Sequence, residues 1–370
     1  MQMEATHLFE MSMKPISGSR NYVYNLINNQ NKFIRTSLLF QKSAGSKLPD
    51  TRLIPVLHHS FHSCAWFKEN KRAADIAIKS CAYALNSYIK NRKDKCLVLN
   101  VHHVGSMLLS AVPTSIAFDL PIVVTSHGTG IYQNYDNSLI RHALETNVDM
   151  VIAVSKAVKN FISSKTDFST KRIKVIYPGV DTGVFSPSNF SSEIFKIYGD
   201  YVLFFGRIDY EKGAHLLPQI AEKLPKNLKL IIVGDGKALS EIAMQVKKKN
   251  LANKVVFTGY VPEDKLKALV ATAKVTLIPS MFEEPFPLVF LESIASGIPV
   301  VMSKKGGMNE IRDSAGILKV ALDPSEFASA AVKLATETTG KTKNRLMKIA
   351  SEFSWESIAE KYVELYKKLI

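Results

Sequence analysis

The chain has 370 residues, 46% of them apolar and 22% charged, with a formal net charge of +15 at pH 7. Its length suits about two domains, since single cores rarely grow past ~250–300 residues, and its composition excludes disordered and fibrous proteins. Three cysteines, Cys64, Cys81 and Cys96, are too few for a disulfide scaffold or a zinc framework, which favours a reducing compartment.

Residues 1–14 carry Glu4 and Glu10 and no apolar stretch of signal-peptide type. No window approaches the ~18 unbroken apolar residues of a membrane span. Residues 107–125 come nearest and are cut by Pro113, Asp119 and Pro121. The expectation is a soluble protein of the cytoplasm. Short β-rich apolar runs then alternate with helix-period stretches, the signature of βαβ units and parallel sheets. In the first half, strands are expected at 6–9, 53–57, 96–101, 122–125, 150–154 and 173–177. Helices are expected at 19–29, where Tyr22, Val23, Leu26 and Ile27 share a face, and at 67–90 and 155–163. Residues 178–187 (PGVDTGVFSP) read as a linker. The second half is more regular, with strands expected at 201–205, 228–233, 254–258, 275–279 and 299–303 and an amphipathic helix over 237–248. The fold class is therefore α/β. Two Rossmann-like domains, 1–185 and 186–370, would face each other across a cleft, because open α/β sheets bind ligands beyond the carboxyl ends of their strands.

No GxxxxGK[ST] run occurs, and Gly234-Asp235-Gly236 lacks the third glycine of a dinucleotide fingerprint. No Asp-x-Asp pair occurs either, so phosphate charge has to be met by cations and backbone N–H groups. Arg207 and Lys212, five residues apart at a strand-to-helix turn, suit a diphosphate: arginine as a bidentate donor, lysine as a point charge. Glu284 and Glu292 bracket the apolar run PFPLVFL, which leads from a strand end into a helix closed by Gly297, and a helix N-terminus favours an anion. His58-His59-x-x-His62 and His102-His103 have no carboxylate or cysteine beside them and read as cleft-lining or solvated rather than metal-binding.

The runs GRIDYEKG, IIVGDG and VVFTGYVPEDKLKALVATAKVTLIPSMFEEPFPLVFLESIASGIPVVMSKKGGMNEI resemble the donor domain of the retaining GT-B glycosyltransferases related to glycogen synthase, the family-4 type. Glu284 and Glu292 fit that family's E-x7-E motif, and Gly306-Gly307-x-x-Glu310 fits its later turn. SGSRNYVYNL resembles the amino-terminal glycine loop and helix, VVTSHG the histidine strand end, and VDMVIAVSKAVKNF with IKVIYPGVDTGVF the crossover between domains. FSWESIAEKYVELY resembles the closing helices, so residues 355–370 are expected to pack back on the amino-terminal domain. Pro285 and Pro287 depart from the family, which often has glycine there, and each removes an N–H donor available to sugar hydroxyls.

The resemblance implies a metal-independent, retaining transfer from a nucleotide-diphosphate sugar, with UDP favoured, GDP possible and no cofactor. Arg207 and Lys212 would bind the diphosphate, and Glu292 the ribose hydroxyls. Backbone near Val261 would meet the base, backbone N–H groups of Leu288 and Val289 the phosphate, and Phe286 would belong to the substrate-binding set. Glu284 and His127 would contact the transferred sugar, and Gly18 would let the first loop pass close to the diphosphate. A GT-B epimerase, a glycan phosphorylase or a non-catalytic sugar-nucleotide-binding protein are the alternatives. The acceptor would be a glycan, a lipid-linked sugar or a small molecule, with no nucleic-acid partner. Residues 1–180 hold 22 basic against 11 acidic residues, or +11 of the +15. The cations Lys68, Lys71 and Arg72, and the run 90–95, would allow contact with an anionic membrane, unless the apolar face of that helix packs on its own sheet.

Overall fold

Continuous apolar strands buried on both faces require helices on either side, and both halves of the chain meet that requirement. The computed structural model describes residues 3–9, 18–41, 52–56, 71–90, 97–102, 104–128 and 137–370. It divides into two units, Met1–Gly179 with Trp355–Ile370, and Val180–Ser354.

The first unit runs β1 (Glu4–Phe9), α1 (Gly18–Gln30), β2 (Arg35–Gln41), β3 (Arg52–Val56), α2 (Lys71–Lys90), β4 (Leu97–His102), α3 (Ser106–Phe118), β5 (Ile122–Ser126), α4 (Ser138–Asn147), β6 (Met150–Ala153), α5 (Lys156–Lys165) and β7 (Ile173–Val175). Its described strands form a parallel sheet in the order β3-β2-β1-β4-β5-β6-β7. Every residue of β4 and β5 is buried. The strand order reverses between β1 and β4, the point where such sheets open a crevice at their carboxyl ends. His7 lies opposite Asn100, and His102 opposite Thr125. Because side chains alternate along a strand, His7, Asn100, His102 and Thr125 share one face. The closing helix (Trp355–Lys367) covers that face: Asn100 Nδ2 donates to the Tyr366 hydroxyl (2.7 Å), and the Tyr22 and Tyr362 hydroxyls meet at 2.9 Å.

Strand β2 and helices α3 and α4 of this unit depart from the sequence reading. Strand β2 was not expected, because Arg35, Thr36, Ser37 and Gln41 dilute its apolar core; pairing with β1 along its length holds it. Helix α3 was not expected, and it runs through Pro113. Burial of Met107, Leu108 and Ala111 outweighs the ~3 kcal/mol cost of an interior proline. The helix stops at Asp119 instead, whose backbone is left-handed (φ 52°). Among the described residues no helix is long and apolar enough to cross a membrane. Cys81, Leu85 and Ile89 turn α2 onto the core of its own unit. Residues 10–17, 57–70, 91–96 and 103 lie outside the described residues, and with them His58, His59, His62, His103, Lys68 and most of the 90–95 run.

The second unit runs α6 (Ser192–Tyr198), β8 (Tyr201–Phe205), α7 (Leu217–Lys223), β9 (Lys229–Val233), α8 (Leu239–Lys248), β10 (Val255–Gly259), α9 (Glu263–Thr272), β11 (Val275–Ile278), α10 (Leu288–Ala295), β12 (Val300–Ser303), β13 (Ile317–Val320), α11 (Pro324–Glu337) and α12 (Gly340–Ser351). The parallel order is β10-β9-β8-β11-β12-β13, with its reversal between β8 and β11. Val180 N–H donates to Phe353 O at 2.8 Å, so the chain enters and leaves this unit side by side.

Candidate functional site

In the second unit, the turn Tyr210–Lys212 follows β8 and lies across the end of β11. Gly213 makes that approach possible: its backbone is left-handed (φ +70°), and a Cβ there would fall 1.8 Å from Pro279 O. The neighbouring Met281 N–H bonds Glu211 O at 2.8 Å. Lys212 is thereby brought to Glu284, 72 residues on, and its ammonium bonds Glu284 Oε1. Ser280 Oγ donates to the same oxygen at 2.6 Å, and the Lys212 nitrogen stands 4.9 Å above the Phe282 ring. Glu284 is only 4% exposed, and a buried carboxylate needs such partners. Behind it, Gly307 N–H holds Glu284 O at 2.7 Å. Gly306, with φ +49°, sits where a Cβ would lie 2.3 Å from the same oxygen. The paired glycines of the later turn thus press directly on the Glu284 loop.

Arg207 leaves the end of β8, pairs with Asp209 and is largely exposed; Asp209 Oδ1 also accepts from Lys237 N–H at 3.2 Å. Helix α10 begins after Pro287 with no side-chain cap, so the N–H groups of Leu288 and Val289 stay uncapped. The Phe286 ring is buried against Phe290 (6.4 Å) and Phe353 (6.0 Å), so only its backbone is placed to meet a ligand. Glu292, one face along α10, has a carboxyl pushed up to about 7, first by burial and then by the Glu263 charge. No side chain among the described residues pairs with it. Val261, buried just past Gly259, leaves its backbone N–H and C=O without a protein partner among the described residues.

In the first unit, His127 follows β5 at the same end of the sheet as the last residues of β1 and β4. Its Nε2 lies 3.1 Å from His102 Nδ1, and the two rings stack at 5.3 Å. His102 Nε2 lies 2.9 Å from His7 Nδ1, and His7 Nε2 lies 2.8 Å from Gln30 Oε1. Tyr22 meets His127 edge-on at 4.6 Å. His7, His102 and Gln30 are fully buried, so His102 is neither solvated nor cleft-lining as the sequence suggested. Gly18 opens α1. The sequence reading missed His7, Gln30, Asp209 and Ser280. The pairs Asn100/His102 and Thr125/His127, polar residues two apart at the ends of apolar strands, were the signal available for the histidine group. Among the described residues no group of three or more histidine, cysteine or acidic side chains has the geometry to hold a metal ion.

Residues 16–184 match the family described as Glycosyltransferase Family 4, and residues 190–353 the one described as Glycosyl transferases group 1. The chain is 32% identical over 347 residues to a glycosyltransferase of Methanocaldococcus jannaschii, covering 85% of this chain and 83% of that one. It is 27% identical over 288 residues to glycogen synthase of Mycobacterium tuberculosis, covering 72% and 68%. The fold resembles that of Anabaena HepE, solved in complex with UDP-glucose, with a TM-score of 0.76 at 20% identity over 99% of this chain and 100% of that one.

Proposed function

This chain belongs to the GT-B glycosyltransferases of the family 4, group 1 type, enzymes that take their sugar from a nucleotide-sugar donor, and we propose that it transfers the sugar with retention and without a metal. The observation that carries this reading is the meeting of Lys212, Ser280 and Glu284 at the strand-order reversal of the second sheet, four residues ahead of the uncapped start of α10. As the bond between the sugar carbon and the phosphate oxygen breaks, positive charge grows on the sugar and negative charge on the leaving diphosphate. Arg207, Lys212 and the N–H groups of Leu288 and Val289 take up that negative charge. Glu292, with no side-chain partner among the described residues, receives the ribose hydroxyls. The open backbone of Val261 meets the base, while backbone of Phe286 and the close approach at Gly18 line the donor. Glu284 and His127 touch the transferred sugar.

UDP is the favoured nucleotide, supported by the UDP-glucose held by HepE, with GDP the second choice. The acceptor is a glycan, a lipid-linked sugar or a small molecule, and the enzyme works in the cytoplasm. Incubation with each nucleotide sugar, with and without acceptors, should release free nucleotide only when an acceptor is present; release that never depends on an acceptor, or interconversion of the donor sugar, would point to a different reaction. Alanine at Arg207 or Lys212 should lower kcat/KM at least tenfold, about 1.4 kcal/mol. Near-normal turnover in both would remove their role.

The positive excess of residues 1–180 supports a further part of the reading, reversible contact with an anionic membrane carrying the acceptor. Sedimentation with anionic vesicles should show binding at low salt that is lost at high salt.

A further inference from the structure

Two hydrogen-bond donors end on one oxygen of the Glu284 carboxylate. The Lys212 ammonium bonds Oε1, and the Ser280 hydroxyl bonds the same atom at 2.6 Å, the length of a charge-assisted bond. No N–H or O–H group among the described residues bonds Oε2, so that oxygen keeps its capacity to accept. The two donors differ in kind. Lys212 comes from the turn after β8, its side chain is 26% exposed, and its charge is open to any anion that enters the site. Ser280 is neutral, stands just past β11 and is 1% exposed. A hydroxyl has one proton, and that of Ser280 goes to Glu284. Ser303, wholly buried at the end of β12, holds the backbone of Ser280 by donating its own hydroxyl to Ser280 O at 2.6 Å. The Glu284 backbone is held separately, its N–H on Phe282 O at 2.9 Å and its carbonyl under Gly307 N–H. Ser280 therefore acts on the side chain of Glu284 and not on the path of its loop.

We propose that Ser280 is a positioning residue: it keeps the Glu284 carboxylate in place, with Oε2 left to accept from a hydroxyl of the transferred sugar, while the donor's diphosphate takes up the Lys212 ammonium. This rests on the reading above, in which Lys212 meets the diphosphate and Glu284 the sugar. A lysine is a point charge with rotatable donors, and each bond that it gives to phosphate is one fewer for the carboxylate. A buried hydroxyl that reaches only Glu284 stays where it is through that exchange. The sugar end of the donor thus has its own holder, separate from the phosphate end.

The test reads the two ends of the donor apart. The full-length chain and its variants are compared in kcat on whichever of UDP-glucose, UDP-galactose, UDP-N-acetylglucosamine and GDP-mannose turns over, and in calorimetric affinity for UDP or GDP alone. Ser280→Ala should lower kcat about ten- to fiftyfold and leave the affinity for the bare nucleotide within about twofold of the wild type. Ser280→Thr, which keeps the hydroxyl, should recover most of the lost kcat. Ser280→Cys, similar in size but a weak donor, should show the same loss as the alanine variant and replaces it if that variant does not fold. Added to Glu284→Gln, Ser280→Ala should lower kcat no further, because its effect runs through the carboxylate. An unchanged kcat in Ser280→Ala and Ser280→Cys overturns the positioning role while the donor reading stands. So does a loss of nucleotide affinity equal to the loss of kcat, or a loss that multiplies with that of Glu284→Gln. Turnover of no nucleotide sugar by the wild-type chain overturns the donor reading itself, and the role of Ser280 with it.

Discussion

In its proposed role, Glu292 sets a function against stability. Its carboxyl is raised to about 7 in the folded chain and returns to the ordinary carboxylate range, about 4.3, on unfolding. The folded state therefore binds the proton more tightly. The penalty is absent below the unfolded pKa, grows as pH rises through the window between the two values, and is complete above about 7. Glu292→Gln should accordingly raise stability at pH 8, by on the order of 1–3 kcal/mol, with the gain vanishing as pH approaches 4. Denaturant titrations at pH 4, 6 and 8 test this; a gain independent of pH would contradict it. Donor affinity should move the other way, rising in the wild type through pH 7 as the carboxylate forms, and losing that slope in Glu292→Gln. His7 has the opposite sign. Its pKa is lowered to about 4, so stability should fall as pH drops from about 6.5, the unfolded value, toward 4. The same titrations on His7→Phe should show a shallower fall. Both acids of the E-x7-E spacing were visible in the sequence; the partners of His7 were not, because they come from α1 and β4, 23 and 95 residues away.

At the scale of elements, the site depends on loops that touch at glycines. Gly213→Ala would set a Cβ 1.8 Å from Pro279 O on a left-handed backbone, so either the turn carrying Lys212 or the end of β11 must move. The left-handed backbone alone costs roughly 1 kcal/mol, and the clash adds to it. We expect a stability loss above about 2 kcal/mol and a loss of donor affinity larger than that of Lys212→Ala, since Arg207 and Glu284 would shift with the turn. Equal affinity in the two variants would show that the turn tolerates the movement. Five of the six strands of the second unit were legible from periodicity almost to the residue, β8 at 201–205 among them, while β13 at Ile317–Val320 was not. Strand β2 and helix α3 were not, because the forces that keep them, a ladder with β1 and burial of Met107 and Leu108, act between segments distant in sequence. The Lys212–Glu284 pair was legible as two residues of one site but not as a contact, since only the fold of the Gly213 turn brings them together.

At the scale of the molecule, the first unit is made of two pieces of chain. Trp355, Ile358, Ala359, Tyr362, Val363 and Tyr366 of the closing helix are each at most 5% exposed and lie in the core of that unit. At ~1.5–3 kcal/mol for each of the five large side chains, their removal costs as much as the 5–15 kcal/mol by which most domains are stable. A chain ending at Ser354 should therefore lose amide-exchange protection in β4 and β5 while keeping it in β8, β9 and β11, whose core contains none of these six residues. Loss of protection in both units, or in neither, would show that the two do not fold on separate accounts.

The same division has a consequence for how the molecule is made. A ribosome lays down the first sheet, then the whole of residues 180–354, and only afterwards the helix that completes the first sheet. At ~5–20 residues per second the wait lasts on the order of ten to thirty seconds. Throughout it the face carrying His7, Asn100 and Thr125 has no Tyr362 or Tyr366 to meet. The later-synthesised unit can mature while the earlier one is still open. Any message that stalls before residue 355 yields a product whose uncovered face is available to chaperones and proteases, so a finished first unit certifies that synthesis has passed the closing helix.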